Sequence, residues 1–157
     1  MKRKLDMLAF LQTGTIHDVT VGQTRRAVHD RLGRPDTHDP LDNIWRWNIW
    51  TYGGLEFHFT RDHDVHRLWL IWSDHLPMCA PGHSSVELHP WRLGAQPIAW
   101  ADDIIAGLNG AGVHFTRSED MLYESLVGRL YLDSGVELGL GEYKTREVIT
   151  HVSLKWC

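Results

Sequence analysis

A group of histidines and aspartates around one predicted turn is the densest set of potential metal ligands in the chain. His58, Asp62, His63, Asp64 and His66 follow one another closely, and divalent metals accept imidazole and carboxylate ligands. Strand alternation places His58 on a sheet face and His66 near the turn, so the side chains would converge only around a favourable turn. We therefore interpret them as solvated turn residues and predict no metal or other cofactor. A small-ligand or metal-binding module that uses the His-rich first half of the chain is the alternative function.

Side chains arranged for catalysis are also sparse. Cys79 has His75 and His83 nearby, but prolines flank it and the sequence offers no oxyanion-hole loop. Asp102-Asp103 and Glu119-Asp120 fit a helix N-terminus and a solvated loop better than an acid and base pair. The sequence contains no phosphate-binding glycine loop, no G-x-S-x-G and no H-E-x-x-H motif. It therefore favours a protein that is not an enzyme.

Composition is that of a globular protein and argues against several partners. The 157 residues are 43% apolar and 23% charged, with a net charge of −4. An acidic chain lacks the basic face that nucleic-acid binding needs, and no apolar segment is long enough to span a membrane. The start MKRKLDMLAFLQTGT is interrupted by Asp6 and predicts an amphipathic helix, not a signal peptide. Cys79 and Cys157 form no disulfide framework, so we expect a cytoplasmic protein.

The segment from Ile44 to Trp72 predicts three neighbouring antiparallel strands. Aromatic and β-branched residues fill three short runs, and five of the eight tryptophans lie here. Gly53-Gly54 and the charged residues from Arg61 to Asp64 separate the runs, and both are typical of turns. A helix predicted to end at Gly33 precedes the segment.

The same order recurs in the second half of the chain. A helix predicted over IAWADDIIAGLNG precedes three more strand-like runs, and only Ser85 to Leu88 looks extended in the proline-containing connection between the halves. The copies align at offsets of 76 for the helices (104 − 28), 81 for GLEFHF against GVELGL (135 − 54) and 84 for LWLIW against VSLKW (156 − 72). Such drift inside loops is expected of a duplicated unit.

These patterns predict an α+β fold and a single domain over residues 1–157. It would consist of two tandem αβββ repeats, about 20–74 and about 98–157, joined by a connection over 75–97. Their strands would form one curved antiparallel sheet with the helices packed on one face.

Alternation assigns the large apolar side chains to the face that the helices should cover. They are Leu55, Phe57, Phe59, Leu68, Leu70 and Trp72 in the first copy, and Val136, Leu138, Leu140, Val152, Leu154 and Trp156 in the second. The orientation of the first strand of each copy stays open. A two-residue turn at Gly53-Gly54 places Tyr52 beside Leu55, whereas the matching turn at Ser134-Gly135 pairs Asp133 with Val136.

The combination of WTYGGLEFHF with a preceding helix that ends LGRPD resembles known proteins. A tandem helix-plus-sheet arrangement of this kind is similar to the secreted β-lactamase inhibitor proteins and to small outer-membrane assembly lipoproteins. The W-x-Y-G and SGVEL segments also resemble a family of small, mainly actinobacterial proteins. The resemblance covers about Thr20 to Trp156. It implies a binding protein whose open sheet face receives a partner, such as an immunity protein that blocks a toxin.

We therefore predict a non-enzymatic protein-binding module whose partner is a toxin or another enzyme and is neither a nucleic acid nor a membrane. Exposed tryptophan flanked by arginine and carboxylates is typical of interface hot spots. The predicted partner-binding residues are Trp69, Arg67, Ile71, Glu56, His58, Glu137, His151 and Lys155. The sequence leaves the identity of the partner and the oligomeric state open.

Overall fold

The computed structural model describes residues 3–36, 41–74, 86–89, 99–119 and 126–156. In chain order its elements are β1 (Arg3–Asp6), α1 (Met7–Thr13), α2 (Arg25–Leu32), a 3-10 turn (Ile44–Arg46), β2 (Ile49–Tyr52), β3 (Leu55–Asp62), β4 (Val65–Ser73), β5 (Val86–His89), α3 (Ala101–Gly110), β6 (Phe115–Ser118), β7 (Leu126–Leu132), β8 (Glu137–Tyr143) and β9 (Arg146–Lys155).

Within these ranges the fold is α+β, as predicted, with three α-helices and a seven-stranded sheet in the order β2-β3-β4-β9-β8-β7-β6. Every neighbouring pair in that sheet is antiparallel. A separate parallel pair joins β1 to β5. Arg117 of β6 forms an ion pair with Glu147 of β9 across two intervening strands. Because β6 and β9 would lie about 14 Å apart in a flat sheet, this end of the sheet curls.

The first two helices begin at a residue whose side chain caps them and end at a glycine. The Thr24 hydroxyl accepts a hydrogen bond from the Ala27 amide at 3.2 Å and caps α2, which stops before Gly33. Asp6 caps α1 in the same way through the Ala9 amide at 3.0 Å. The N-terminal helix is therefore shorter than predicted, because β1 occupies the residues before it.

A short backbone bridge leads into each of the two later helices. Gly22 and Gln23 exchange hydrogen bonds with Leu68 of β4 immediately before α2. Ala99 accepts a hydrogen bond from Ile149 of β9 immediately before α3. Each helix is thus tied to the last strand of the meander that follows it, which is β4, the third strand after α2, and β9, the fourth strand after α3.

The core lies between the helices and one face of the sheet. Val28 and Leu32 of α2, with Ile104 and Leu108 of α3, are buried against it. Most of the strand residues predicted to be buried are buried, namely Leu55, Phe57, Phe59, Leu68, Val136, Leu138, Leu140, Val152 and Leu154. The prediction of this face is confirmed for these residues.

Alternation fails in the C-terminal half of β4. The pairing of β3 with β4 shifts between His58 and Phe59, so β4 contains one extra residue, Trp69. The extra residue reverses the facing of everything after it. Leu70 and Trp72, predicted to be buried, are only half-buried, whereas Ile71, predicted on the open face, is 0% exposed.

Trp156 is a second exception to the predicted burial. It lies just beyond the end of β9 and is 44% exposed, although it was assigned to the buried face. Its indole approaches Gly22, where an added Cβ would lie 3.6 Å from the ring. Trp156 therefore covers the bridge before α2 from outside instead of filling the core.

The two first strands have the same orientation because their turns differ in length. Tyr52 pairs with Leu55 across a two-residue turn, and both are buried. In the second half, Leu132 takes the place of Tyr52: its amide donates to the Val136 carbonyl at 2.9 Å, and both side chains are buried. The second turn thus has three residues, which removes the predicted Asp133–Val136 pair.

Gly14 ends α1 in a left-handed conformation at a point of close contact. Its φ is +69°, and an added Cβ would lie 2.7 Å from the Ser134 carbonyl oxygen. Gly112 has the same φ, but an added Cβ there would meet nothing within 4 Å. We expect Gly112→Ala to lower the free energy of unfolding by about 1 kcal/mol from backbone strain alone. Gly14→Ala should cost about 1–3 kcal/mol more, because the carbonyl must move.

Urea unfolding of both variants measures this difference directly. Equal losses of unfolding free energy in the two variants would show that the contact with Ser134 does not constrain α1.

Candidate functional site

The sheet face opposite the core, which we call the outer face, presents side chains in rows that cross the strands. The central row follows the strand pairing through all seven strands. Its members are Thr51, Glu56, Trp72, Ser153, Glu137, Tyr131 and Thr116. A flanking row contains Ile49, His58, Leu70 and Lys155, and the row on the other side contains His151, Gly139, Arg129 and Ser118.

An ionic group occupies the β7-β8-β9 half of the outer face. The Glu137 carboxylate lies 3.4 Å from an Arg129 guanidinium nitrogen and 3.7 Å from the Lys155 ammonium. Arg129 and Glu137 are mostly buried, so their attraction is screened less than that of a fully exposed pair. One carboxylate is therefore held by two cations on neighbouring strands.

His151 lies directly over Gly139, its cross-strand partner. A Cβ at position 139 would overlap the imidazole ring, so the ring occupies the space that a side chain would fill. The ring is within 3.0 Å of the Thr150 hydroxyl, and its centre lies 6.5 Å from the ring of Trp72 at an interplanar angle of 32°. The missing side chain at Gly139 thus fixes where His151 lies.

The surroundings of His151 favour its neutral form. Burial lowers the pKa of His151, and the positive charges of Arg129 and Lys155 lower it further, against opposing effects of Glu137 and Asp74. Beside it, the Ser153 hydroxyl and the Nε of Arg129 are buried without a hydrogen-bond partner among the described residues. A buried donor of this kind costs about 1–3 kcal/mol. In this half of the outer face the Glu137 charge is therefore already paired, although two buried polar groups are not.

The β2-β3-β4 half of the outer face is aromatic and more open. Trp69, the extra residue of β4, is 38% exposed and meets the His58 ring edge-on at 6.2 Å. Nε2 of His58 lies 2.8 Å from the Glu56 carboxylate. Trp72 is the cross-strand partner of Glu56. A carboxylate and an imidazole therefore lie beside two indoles on one surface.

Six of the eight predicted partner-binding residues lie together on the outer face. They are Glu56, His58, Trp69, Glu137, His151 and Lys155. Arg67 is engaged elsewhere, because its Nε bonds Asp62 and its terminal nitrogen bonds the Gly22 carbonyl, both at 3.0 Å. The placement of Ile71 on this face was wrong because of the extra residue in β4.

Sequence reasoning missed Arg129, Tyr131, Ser153 and Trp72 as members of this cluster. Arg129 and Tyr131 lie on β7, whose orientation alternation could not settle without the length of the following turn. Trp72 was assigned to the core by the uninterrupted alternation of β4. The available signal for Arg129 was its place inside an apolar run, LVGRLYL, where a charged residue must point outward.

The histidines around the β3–β4 turn are spread out. His63 is 97% exposed at the turn, while His58 points onto the outer face toward Glu56. Burial lowers the pKa of His66, and the charges of Arg25 and Arg61 lower it further. Among the described residues, no three His, Cys, Asp or Glu side chains are placed to hold a metal ion.

Several other predicted features lie outside the described residues. These are Cys79 with His75 and His83, the terminal Cys157, and Asp120. Asp102 and Asp103 are exposed in the first turn of α3. No helix in the described part of the chain is long and apolar enough to cross a membrane.

Comparison with known proteins leaves the family of this chain open. No protein-family model matches the sequence, and no curated protein matches it. A search of solved structures finds similarity to a DUF4309 family protein, YjgB, from Bacillus subtilis, with 15% sequence identity and a TM-score of 0.43. The match covers 90% of this chain and 84% of that protein.

The contact between Gly139 and His151 predicts a strong coupling between the two positions. Gly139→Ala should lower the free energy of unfolding by about 1–3 kcal/mol, because the new methyl group displaces the imidazole. In a His151→Ala background the same change should cost much less, with a coupling energy of about 0.5–3 kcal/mol in a double-mutant cycle. Additive losses would contradict the contact.

The lowered pKa of His151 predicts a contribution to stability that depends on pH. The folded chain binds the proton at His151 less tightly than the unfolded chain, whose histidine pKa is about 6.5. Stability from this residue is thus fully present above that pH and is lost as the pH falls below it toward the folded value.

Urea unfolding of the wild type and His151→Asn between pH 8 and pH 5 measures this contribution. As the pH falls, the wild type should lose more unfolding free energy than His151→Asn. A difference that stays constant with pH would contradict the lowered pKa.

Proposed function

We propose that this chain is a non-enzymatic protein-binding module whose outer face covers a partner protein. The observation that carries the proposal is an exposed tryptophan, Trp69, which lies at the β4 bulge on the same surface as Glu56 and His58. Tryptophan with charged neighbours is the composition that dominates interface energies. The partner would be another protein in the cytoplasm, and neither a nucleic acid nor a membrane.

The shape of the outer face supports a protein partner over a small ligand. Its central row crosses seven strands, which is about 30 Å at the usual strand spacing. Glu56 and Glu137 lie three strands apart in that row, a separation of about 14 Å that a single metal ion would not bridge. A surface of this width matches the roughly 800 Å² per partner of a stable protein complex.

We infer that the module acts by occlusion, as an inhibitor or immunity protein that blocks a toxin or another enzyme. The polar groups of the outer face support binding without chemistry. His151 bonds Thr150 and lies against Gly139, and Glu137 is held by two cations. Groups fixed in this way provide a preformed surface, which lowers the ordering cost of association.

We further propose that the chain consists of two tandem αβββ repeats. The two meanders share an extra residue at matching points: β4 gains Trp69 opposite His58 and Phe59, and β9 gains Thr150 opposite Gly139 and Leu140. The second meander has a further irregularity in β7, at Val127, which has no counterpart in the first. The two extra residues are separated by an offset of 81 (150 − 69), the same as that of the second strands. A coincidence of two bulges at one offset supports duplication, since bulges are retained within families.

The pairing of β4 with β9 supports the same proposal and revises the alignment of the third strands. With an offset of 81 (153 − 72), Trp72 and Ser153 are equivalent, and they pair with each other at the centre of the sheet. Ile71 is then equivalent to Val152, and both are buried. The predicted offset of 84, which aligned Trp72 with Trp156, does not fit this pairing.

A photo-crosslinking amino acid at position 69 tests the proposed docking surface. p-Benzoylphenylalanine in place of Trp69 should crosslink one protein partner in the native cell. The same amino acid in place of Tyr143, an exposed aromatic at the far end of β8 beside the turn into β9, should not capture that partner. Trp69→Ala should then weaken the isolated complex about tenfold or more, because it removes an interface anchor.

The urea midpoint of Trp69→Ala should stay close to that of the wild type, since the side chain is 38% exposed and lies outside the hydrophobic core. Tyr143→Ala serves as the matched control for both affinity and stability. Unchanged affinity in Trp69→Ala, or equal capture from both positions, would contradict docking at the outer face.

A further inference from the structure

We propose that the outer face recognises a basic side chain of its partner, a lysine or an arginine that binds the Glu56 carboxylate beside the indole of Trp69. This inference rests on the proposed function and specifies the chemistry of the partner at its centre. It follows from an imbalance between two carboxylates on the same surface.

Glu56 retains capacity to accept further hydrogen bonds. Its side chain is 36% exposed, and its ion-pair contact within the described residues is with His58, whose Nε2 lies 2.8 Å from one carboxylate oxygen. No lysine or arginine in the described part of the chain pairs with it. A carboxylate has about four acceptor positions, so one imidazole leaves most of them for other donors.

Glu137, in contrast to Glu56, is a carboxylate that cations of the same sheet neutralise. It lies on the same central row, between the cations of Arg129 and Lys155, and its side chain is only 20% exposed. A partner's cation would meet two like charges there. The outer face therefore directs a basic group toward Glu56 and away from Glu137.

Aromatic rings complete the site around Glu56. Trp69 is exposed and turned edge-on to His58, and Trp72 is the direct cross-strand neighbour of Glu56. Indole faces attract cations, and a guanidinium stacks on them while its N–H groups reach a carboxylate. An acidic partner group would gain neither contact, because Glu56 would repel it. A carboxylate that pairs across the strands with Trp72 and shares its surface with the exposed indole of Trp69 thus fits lysine or arginine.

A random peptide library displayed on phage tests this preference without requiring the natural partner. Peptides selected on the wild-type protein should be enriched in lysine and arginine, and soluble copies should bind Trp69→Ala about tenfold more weakly or worse. Selection on Glu56→Gln should lose the basic enrichment. Selection on Glu56→Lys should replace it with aspartate and glutamate.

Glu142→Lys is the matched control, because it makes the same charge change at an exposed residue of β8. Glu142 lies near the end of that strand away from the central row. The control variant should select the same basic peptides as the wild type. Peptides of unchanged composition on Glu56→Lys would overturn the inference. Peptides that bind Trp69→Ala as tightly as the wild type would also overturn it. The same holds if the wild-type protein selects no peptide.

The two proposals fail in different ways. If a partner is captured through position 69 but binds Glu56→Lys as tightly as the wild type, docking at the outer face stands and recognition of a basic side chain is wrong. If basic peptides are selected as expected but position 69 captures no cellular protein, the site binds basic groups and the proposed function is wrong.

Discussion

The short pairing between β4 and β9 is the constraint on which the rest of the structure depends. Four residue pairs, from Leu70–Lys155 to Ser73–Val152, join the three-strand meander β2-β3-β4 to the four-strand meander β6-β7-β8-β9 in one sheet. Without them β4 and β9 would each become an exposed edge strand. Every side chain of the central row is positioned relative to this seam, because the register of each strand is transmitted through it. The two bulges decide which side chains meet across it, since the extra Trp69 in β4 moves Ile71 into the core and leaves Leu70 and Trp72 on the outer face.

Local pattern predicted most of the helices and strands but neither β1 nor β6, and it did not determine which face every side chain takes. Gly33 marks the end of α2 in the sequence as it does in the structure, because capping depends on a few adjacent residues. The parallel pairing of β1 with β5 joins residues far apart in the chain, and no local pattern encodes it. A bulge is likewise a property of two strands together, so the sequence of β4 alone placed Ile71 on the wrong side.

The candidate site was predictable to the extent that it depends on residue type. Glu56, His58 and Trp69 were identified because polar residues and a tryptophan interrupt apolar strands. Arg67 also interrupts β4, but it serves the fold: it ties the β3–β4 turn to the bridge before α2 through Asp62 and the Gly22 carbonyl. Residue type cannot separate these two uses of a charge, because the separation depends on what the folded chain brings within hydrogen-bonding distance.

Under the proposed duplication, one backbone carries two different surfaces. Glu56 and Glu137 occupy equivalent positions, yet one lies beside indoles with an imidazole as its ion-pair contact and the other is held by two cations. Leu70 and His151 are likewise equivalent, and only His151 needs the glycine opposite it. In the second half the charge of Glu137 is neutralised by cations of the same sheet, so it attracts a partner's cation less. In the first half Glu56 remains able to bind one. Under the proposed function, the first half would therefore recognise the partner and the second would support it.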